Sequence, residues 1–495
     1  MRQIAEVFLV LVYGLSAVVG AQIIASHPRD LSFALLEFEP PDPARHRYTL
    51  SNGVVVFIVE DHTLPLVTVS AMIRTGDYLD PPGKIGVAGL VGSQMRTGGA
   101  GSLSAADFDE EAAFLAAQIG SSISETRGRA SVNALTKDLA AALDLFFDML
   151  RQPRFNQTRL DLAKSQMLQQ MERRNDSTRS IEGREWDRLM RGDDHFSTRP
   201  ITRASIESIT RDDLIAFHQR YYQPGGFIFA VSGDVTPDLI LQELEARMSG
   251  WSANGDEVPS VPKPAHTPRP GLYLADKSDV NQGRVTIGHL GVTRDNPDRY
   301  PLIVMNDILG GGGFSSRIMT RVRSDEGLAY SAGSHFVLGT YYDGVFTAGF
   351  QSRSETVARA SAIVLEEIER IRMEPVSNEE LQNSIASFVE TFTRSFSTAT
   401  ATANLFADDE YTGRDFDYLV RYRQLIGAVT AADVLRVAKE YLHPDRLVML
   451  VVGNQAAIAA GDPDNPDYVL KGLIGSEITQ IRLPDPFTME YPTEP

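Results

Sequence analysis

Cysteine is absent from the 495 residues of this chain. That absence excludes a disulfide framework, a thiolate nucleophile and a zinc site built on cysteine. Paired histidine ligands are missing too, because no two of the nine histidines lie closer than 16 residues along the sequence. The cluster Asp193-Asp194-His195 is more typical of a solvated loop than of a metal site. A site assembled from distant residues stays open, but no local motif for a metal exists.

Positive charge is also scarce, and the formal net charge is −18. Nucleic acids and anionic lipids are bound through clustered Lys and Arg, so this charge disfavours both as partners. Hydrophobic residues make up 43% of the chain, which is enough to bury several ordinary cores. The composition therefore predicts a globular protein. The simplest explanation of its charge is the solubility of a large exported protein, and among partners a peptide, in particular a basic one, is the better suited.

Long apolar runs are confined to the N-terminus. Arg2 precedes an apolar run from Val7 to Val19, and the small residues Gly20 and Ala21 follow. This pattern is typical of a secretory signal peptide, so we predict residues 1–21 as the signal, followed by an N-terminal extension over residues 22–45. The run is shorter than the roughly 20 residues of a membrane-spanning helix, although an uncleaved anchor stays an alternative. An exported chain without cysteine favours a bacterial periplasm.

An internal repeat organises the rest of the sequence. The segment from Ile209 to Gly233 recurs from Val429 to Gly453, and the matched positions are displaced by 220 residues. Each copy has a Thr suited to an N-cap, a helix with apolar residues at 3.6 spacing, a Pro that stops it and an apolar strand that ends at Gly. A second echo relates Pro153–Leu160 to Pro375–Leu381. The sequence therefore predicts two similar domains that arose by duplication.

A proline-rich segment over residues 254–270 separates the halves and is typical of a semi-rigid linker. We place the N-terminal domain at 46–253, the C-terminal domain at 271–460 and a tail at 461–495. Strands and paired helices do not alternate strictly, which favours an α+β fold with an antiparallel sheet and helices on one face in each domain. The predicted elements of the first half are strands Thr49–Val59 and Leu66–Arg74 and helices Val87–Gln94, Ala105–Gln118, Lys137–Arg151 and Gln157–Arg174.

The second half contains a run of four glycines, Gly310 to Gly313, followed by Phe314. A phosphate-binding loop would need the lysine of the G-x-x-x-x-G-K-[ST] motif, which is absent, so nucleotide binding is disfavoured. A flexible loop is the simplest interpretation. Beyond the run we expect a helix from Ser316 to Asp325, a break at Gly327 and a strand from Leu328 onward.

Residues Gly86 to Met95 follow two predicted strands and resemble the helix that carries H-x-x-E-H in the pitrilysin/insulinase (inverzincin) family of zinc peptidases. The resemblance implies that Gly89, Gly92 and Ser93 occupy the motif's functional positions. It also places Gln170 at the family's third ligand, a Glu. None of these residues supplies an imidazole, carboxylate or thiolate, so we expect a degenerate zinc motif and no metal on this chain. An unrelated packing helix of small residues is the alternative.

The family resemblance extends from about Tyr48 to about Gly461, and in the second half it rests on the glycine run and on Arg323 with Tyr330 in Gly-Leu-Ala-Tyr. It implies one half of a metallohydrolase clamshell. Gly310, Gly311, Gly312, Gly313 and Phe314 would contact an extended peptide. Arg323 and Tyr330 would donate hydrogen bonds to the substrate carbonyl oxygen in a site that another chain completes.

These resemblances imply a non-catalytic subunit of an exported zinc metallopeptidase, inactive alone. Its partner would be a homologous chain with H-x-x-E-H and bound zinc, in a heterodimer that admits unfolded or short peptides. We expect no nucleic-acid partner and no membrane contact beyond the signal segment. Two alternatives stay open: a structural subunit resembling the core proteins of respiratory complexes, and a peptide-binding module without proteolysis.

Overall fold

The structure is a computed structural model that describes residues 37–251, 257–474 and 477–492. The predicted signal peptide and most of the N-terminal extension lie outside these residues. Within the described ranges no helix is both long and apolar enough to cross a bilayer.

Two six-stranded sheets form the framework. The first sheet has the strand order β1-β2-β6-β3-β5-β4 and the second has the order β12-β7-β11-β8-β10-β9. The strands of the first sheet are β1 Arg47–Thr49, β2 Val55–Glu60, β3 Leu66–Ile73, β4 Gln118–Ile123, β5 Gly128–Leu135 and β6 Phe227–Gly233. Those of the second are β7 Gly271–Asp276, β8 Gln282–Leu290, β9 Ala329–Phe336, β10 Val345–Arg353, β11 Val448–Gly453 and β12 Ile478–Ile481.

Helices follow the strands in the same order in both halves. The first half contains α1 Val87–Thr97, α2 Ala105–Phe114, α3 Leu139–Arg151, α4 Gln157–Glu172, α5 Thr178–Arg191, α6 Arg203–Ser208, α7 Arg211–Tyr221 and α8 Pro237–Met248. The second contains α9 Arg299–Asn306, α10 Arg317–Met319, α11 Val357–Met373, α12 Asn378–Thr391, α13 Ala399–Thr412, α14 Asp417–Gly427, α15 Ala431–Tyr441 and α16 Gln455–Ala460.

The α+β class and the two similar halves are confirmed, with two differences in detail. Each sheet also contains parallel pairing, between β2 and β6 in the first sheet and between β11, β7 and β12 in the second. The predicted strand Thr49–Val59 is divided by a turn in which Gly53 has φ +87°. Such a φ favours glycine and reverses the chain between β1 and β2. The domain boundaries at 253 and 271 stay predictions.

The repeat identified in the sequence is realised as two copies of a capped helix and a buried strand. Thr210 and Asp213 form a reciprocal capping box at the start of α7, and Thr430 and Asp433 form the same box at the start of α15. Each box satisfies backbone N–H groups that the first helical turn leaves unpaired. The strands that follow, β6 and β11, are almost entirely buried.

Each half contributes one helix that packs on the sheet of the other half. We call these two helices, α5 and α13, the exchanged helices. Helix α5 packs on the second sheet, where Ile181, Trp186 and Met190 are buried against β7 and β11. Helix α13 packs on the first sheet, where the ring centre of Phe406 lies 5.9 Å from that of Phe57 in β2. The predicted arrangement with helices on one face is therefore incomplete, because the second face of each sheet is covered by a helix from the other half.

Charged and aromatic contacts fix the exchanged helix α13. Asp408 forms an ion pair with Arg127 of the first half. The Tyr411 hydroxyl donates to the carbonyl oxygen of Thr126 at 2.9 Å. The guanidinium carbons of Arg74 and Arg127 lie 5.0 and 4.9 Å from the centre of the Tyr411 ring. Positive groups at this distance from an aromatic ring are attracted to it, so the contacts hold the two halves together.

The C-terminal tail, whose role the sequence left open, also connects the halves. Strand β12 extends the second sheet by pairing with β7. The chain then crosses to the first half, where the carbonyl oxygen of Phe487 accepts from the backbone N–H of Arg203 at 2.8 Å. The Tyr491 hydroxyl donates to the fully buried carboxylate of Glu185 in α5 at 2.9 Å.

Candidate functional site

Helix α1 carries the residues of the predicted degenerate zinc motif. The carboxylate of buried Asp80 accepts hydrogen bonds from the backbone N–H groups of Gly86 at 2.6 Å and Ala88 at 2.8 Å. Burial raises the pKa of Asp80, whereas the two backbone donors favour its ionised form. A carboxylate at this position satisfies unpaired groups at the helix N-terminus and so fixes the start of α1.

At Gly92, helix α1 closely approaches strand β4 at the edge of the first sheet. A Cβ atom at Gly92 would lie 2.8 Å from the carbonyl carbon of Ser122, and closer still to the backbone nitrogen of Ile123. The Ser121 hydroxyl donates to the carbonyl oxygen of Gly92 at 2.5 Å. Gly89, by contrast, is exposed and has nothing within 4 Å of its Cβ position. Only Gly92 is therefore required by packing.

The residues that match the family's zinc ligands do not fit a zinc ion. Ser93 is exposed, and its hydroxyl donates to the carbonyl oxygen of Leu90 at 3.1 Å. Gln170 is exposed in the last turn of α4, a helix that packs against α1. A glycine has no ligand atom, and hydroxyl and amide groups are not the imidazole, thiolate or carboxylate ligands typical of zinc. Over the described residues, no three His, Cys, Asp or Glu side chains are grouped to hold a metal.

Asp77 lies in the segment that precedes α1. Among the carboxylates of this region, its own has the most strongly shifted pKa. Burial, together with the negative charges of Asp80 and Glu125, raises the pKa of Asp77 to about 7. No sequence pattern indicated this group, since its environment is built from separate segments. The carboxylate therefore titrates near neutral pH.

The glycine run of the second half is helical in part. Residues Asp307–Gly311 form a π-helical turn that continues α9, and Gly313 has φ +64°. A Cβ atom at Gly310 would lie 2.8 Å from the carbonyl carbon of Gly333 in β9, at the edge of the second sheet. Gly310 therefore repeats the close approach that Gly92 makes to β4. Gly310 and Gly311 thus belong to a π-helical turn that packs on a strand, whereas the flexibility of the run stays a prediction.

Arg323 stacks between two exposed aromatic rings. Its guanidinium carbon lies 4.7 Å from the centre of the Phe314 ring and 4.7 Å from that of Tyr330. Phe314 is 70% exposed and Tyr330 is 83% exposed. The predicted helix, break and strand are confirmed here: a helical segment ends at Asp325, Gly327 has φ +63° and β9 begins at Ala329. A stacked guanidinium keeps its N–H groups, which lie in its plane, free to donate.

Tyr330 lines a cleft of about 860 Å³ together with Gly310, Gly311 and Gly313. The first turns of α5 form the opposite wall. In that wall the buried carboxylate of Glu182 accepts from Arg284 Nε at 2.5 Å and from Thr286 Oγ1 at 2.7 Å. Helix α5 thus forms one wall of the cleft and is hydrogen-bonded to strand β8, which forms the floor.

The structure brings the predicted substrate-contact residues of the second half together at one cleft. It places the residues of the predicted zinc motif away from that cleft. Phe314 and Arg323 adjoin the cleft through their stack on Tyr330. The lining of the cleft includes none of Gly89, Gly92, Ser93 and Gln170. No sequence motif indicates Glu182 or Arg284. The amphipathic pattern of α5 is the one signal that places Glu182 on a buried face.

Two family models match the chain. "Insulinase (Peptidase family M16)" matches residues 55–185, and "Peptidase M16 inactive domain" matches residues 208–388. Together they cover more than half of the sequence. The chain belongs to the M16 family of peptidases. This confirms the pitrilysin/insulinase resemblance, and the second match places a domain of the inactive type after the first.

The relatives of this M16 chain include one protein named as a protease and another named as a non-peptidase. "Uncharacterized zinc protease YmxG" of Bacillus subtilis is 25% identical over 342 residues, which are 68% of this chain and 81% of the relative. "Non-peptidase homolog YmxG" of Helicobacter pylori is 25% identical over 334 residues, which are 64% of this chain and 73% of the relative. The family thus holds both kinds, and identity at this level does not decide between them.

Solved structures share the fold. An M16 inactive domain from Pseudomonas fluorescens superposes with a TM-score of 0.74 at 22% identity, covering 82% of this chain and 97% of that one. The periplasmic protease PqqL from Escherichia coli gives a TM-score of 0.72 at 17% identity, covering 88% of this chain and 49% of that one.

Proposed function

We propose that this M16 chain is a non-catalytic subunit of an exported zinc metallopeptidase. It binds peptide substrate at the cleft of Tyr330 and supplies hydrogen bonds to a catalytic site held by a homologous partner chain. The partner carries H-x-x-E-H and zinc, so the working form is a heterodimer. The predicted signal peptide and the periplasmic location of PqqL support export to a bacterial periplasm.

The stack of Phe314, Arg323 and Tyr330 is the observation that carries this proposal. An arginine and a tyrosine side by side on a surface offer several hydrogen-bond donors within one small area. Donors held in place before reaction stabilise the negative charge that develops on a substrate carbonyl oxygen. Both aromatic rings are largely exposed within the described part of the chain, as expected for groups that contact a bound substrate.

Among the residues that the structure describes, no group of metal-binding side chains accompanies these donors. The positions that would hold a metal carry Gly89, Gly92, Ser93 and Gln170, and they do not line the cleft. The exposed donors and the emptied motif together support dependence on a second chain.

A structural subunit is the second candidate, and the relative named "Non-peptidase homolog" favours it. Such a subunit would keep the fold and its interfaces without proteolysis. The pair of Arg323 and Tyr330 argues for the first candidate, because an assembly role does not need a half-buried arginine stacked on an exposed tyrosine at a cleft.

The test is to purify the chain alone and with its H-x-x-E-H partner, and to assay cleavage of an unfolded peptide with and without chelator. We expect the lone chain to bind no stoichiometric zinc and to cleave nothing. In the complex, Tyr330→Phe and Arg323→Ala should each lower turnover on the order of 10²–10³, the usual cost of losing one such donor.

Controls separate this effect from misfolding or failed assembly. The heterodimer should form with unchanged stoichiometry in both variants, as measured by size-exclusion chromatography with light scattering. Undiminished turnover in both would refute a catalytic contribution, and tight zinc binding with proteolysis by the lone chain would refute the non-catalytic assignment.

A further inference from the structure

A second and larger cavity, of about 1300 Å³, lies at the C-terminal end of α5. Its walls come from the end of α5 and the loop after it, from residues 262–269 of the linker, and from strand β12 with the tail. None of the predicted site residues lines it. The N-terminal end of α5 walls the cleft of Tyr330, so one helix contributes to two separate cavities.

The linker is held firmly as a wall of this cavity. His266 Nε2 is hydrogen-bonded to the carbonyl oxygen of Leu189 at 3.1 Å, and His195 Nε2 is hydrogen-bonded to that of Pro262 at 3.2 Å. Gly192 ends α5 with φ +79°, and a Cβ atom there would lie 2.8 Å from Cβ of His266. The cavity is thus an ordered part of the fold, closed on one side by the interdomain segment.

Positive charge is concentrated in the cavity, against the chain's net charge of −18. Six Lys and Arg side chains line it, against two aspartates. Arg188 and Arg191 are ion-paired with Asp193 and Asp187. Three others, Arg199, Lys263 and Arg269, make no ion pair or side-chain hydrogen bond with the described residues, and the Arg199 Nε is buried without a partner. Unpaired cations that share a cavity attract negatively charged ligands.

Strand β12 gives the cavity a polypeptide edge. Ile478 to Ile481 all line the cavity, and so does the residue after them. Neighbouring side chains of a strand point to opposite faces, so consecutive lining residues indicate that the cavity runs along the edge of the strand. β12 is the last strand of its sheet in the described part of the chain, and its pairing is with β7 on one side only. Its other edge offers unpaired N–H and C=O groups.

We propose that this cavity binds an acidic peptide segment in extended conformation. The segment pairs with the free edge of β12 as a further strand, and its carboxylates contact Arg199, Lys263 and Arg269. A strand edge recognises main-chain amides, which favours a peptide over a nucleic acid as the anionic ligand. The four residues of β12 span about 13 Å, so the paired core of the ligand is on the order of four to five residues.

The test uses the whole purified chain and a fluorescein-labelled peptide of about ten residues that alternates Glu and Val, a length that covers β12 and its flanks. Binding is measured by fluorescence anisotropy. We expect saturable binding that weakens as salt rises, and none for the same peptide with Lys in place of Glu. The double variant Lys263→Glu and Arg269→Glu should weaken binding by about tenfold or more, since it replaces two attractions by repulsions.

The matched control is Arg421→Glu with Lys439→Glu, which makes the same change of charge at two exposed, unpaired residues outside the cavity. The control should change the affinity by less than about twofold. An equal loss in both double variants would mean that overall charge governs binding, and that result would overturn the proposal. Tighter binding of a single-stranded RNA oligonucleotide with the same dependence on Lys263 and Arg269 would overturn it too.

Strand pairing makes a separate demand on the peptide backbone. Alternate amides of an added strand face the sheet, so N-methylation of one set should abolish binding and methylation of the other should be tolerated. Equal affinity for both methylated peptides would refute pairing with β12. None of these measurements requires a catalytic partner, so their outcome is independent of the function proposed above.

Discussion

Gly92 and Gly89 form a pair of positions in one helix for which the structure predicts opposite effects of the same substitution. Replacing a glycine by alanine inside a helix contributes about 1 kcal/mol of stability when the methyl group meets no obstacle. Gly89 is exposed and nothing lies within 4 Å of its Cβ position. We therefore expect Gly89→Ala to stabilise the chain by about 0.5–1 kcal/mol.

Gly92→Ala gains the same helix preference but meets the backbone of β4. A Cβ atom would lie 2.8 Å from the carbonyl carbon of Ser122 and 3.0 Å from its Cα. Backbone atoms of a paired strand cannot rotate away, so the helix must move. Overpacking of this kind costs about 1–3 kcal/mol. The hydrogen bond from the Ser121 hydroxyl to the carbonyl oxygen of Gly92 stabilises the fold by about 1 kcal/mol, and movement of the helix would weaken it.

These contributions leave Gly92→Ala destabilised by about 1–3 kcal/mol, and separate the two variants by about 1.5–4 kcal/mol. The assay is thermal unfolding of both variants and the wild type by differential scanning calorimetry at one scan rate. We expect a higher midpoint for Gly89→Ala and a lower one for Gly92→Ala. A midpoint for Gly92→Ala equal to or above that of the wild type would refute the tight contact between α1 and β4.

Three further predictions concern other parts of the molecule. Asp77→Asn should raise the unfolding midpoint by a few degrees at pH 8 and leave it unchanged near pH 4. The reason is that the pKa of Asp77 is raised to about 7 in the folded state, so ionisation of this carboxyl destabilises the folded state as pH rises. Equal gains at both pH values would contradict this. Residues 37–251 expressed alone should lack a cooperative unfolding transition, since α5 loses the sheet that buries it, and co-expression with 257–492 should restore one. In a peptidase complex, Phe314→Ala should lower turnover through loss of the stack on Arg323. Phe114→Ala, at a ring on α2 that is also largely exposed, should not, and the same turnover in both would remove Phe314 from the site.

Local features of the fold could be predicted because they depend on neighbouring residues. The capping boxes at Thr210 and Thr430 are visible in the sequence, since a Thr and an Asp three residues later satisfy the first helical turn. The break at Gly327 is visible for the same reason. Helix ends were less exact: the predicted helix Ala105–Gln118 ends at Phe114, because the chain turns there to enter β4.

Long-range features could not be predicted, because an amphipathic pattern identifies a buried face but not what covers it. Nothing in the pattern of Ile181, Trp186 and Met190 shows that α5 packs on the sheet of the other half. Strand β12 was missed for a similar reason, since it is four residues long and pairs with β7 across some 200 residues. The cationic cavity depends on both features, so no sequence pattern indicated it.

The close contact at Gly92 limits which side chains the helix of the predicted zinc motif can accept, and Gly310 makes a similar contact in the second half. Both glycines lie where a helical segment meets the edge strand of its sheet, and each half repeats the arrangement. In the active members that the resemblance describes, the position of Gly92 carries the Glu that activates water. In this chain α1 packs against β4 so closely that even a methyl group does not fit at Gly92. Introducing H-x-x-E-H by Gly89→His, Gly92→Glu and Ser93→His would therefore displace α1 from β4 before any metal could bind.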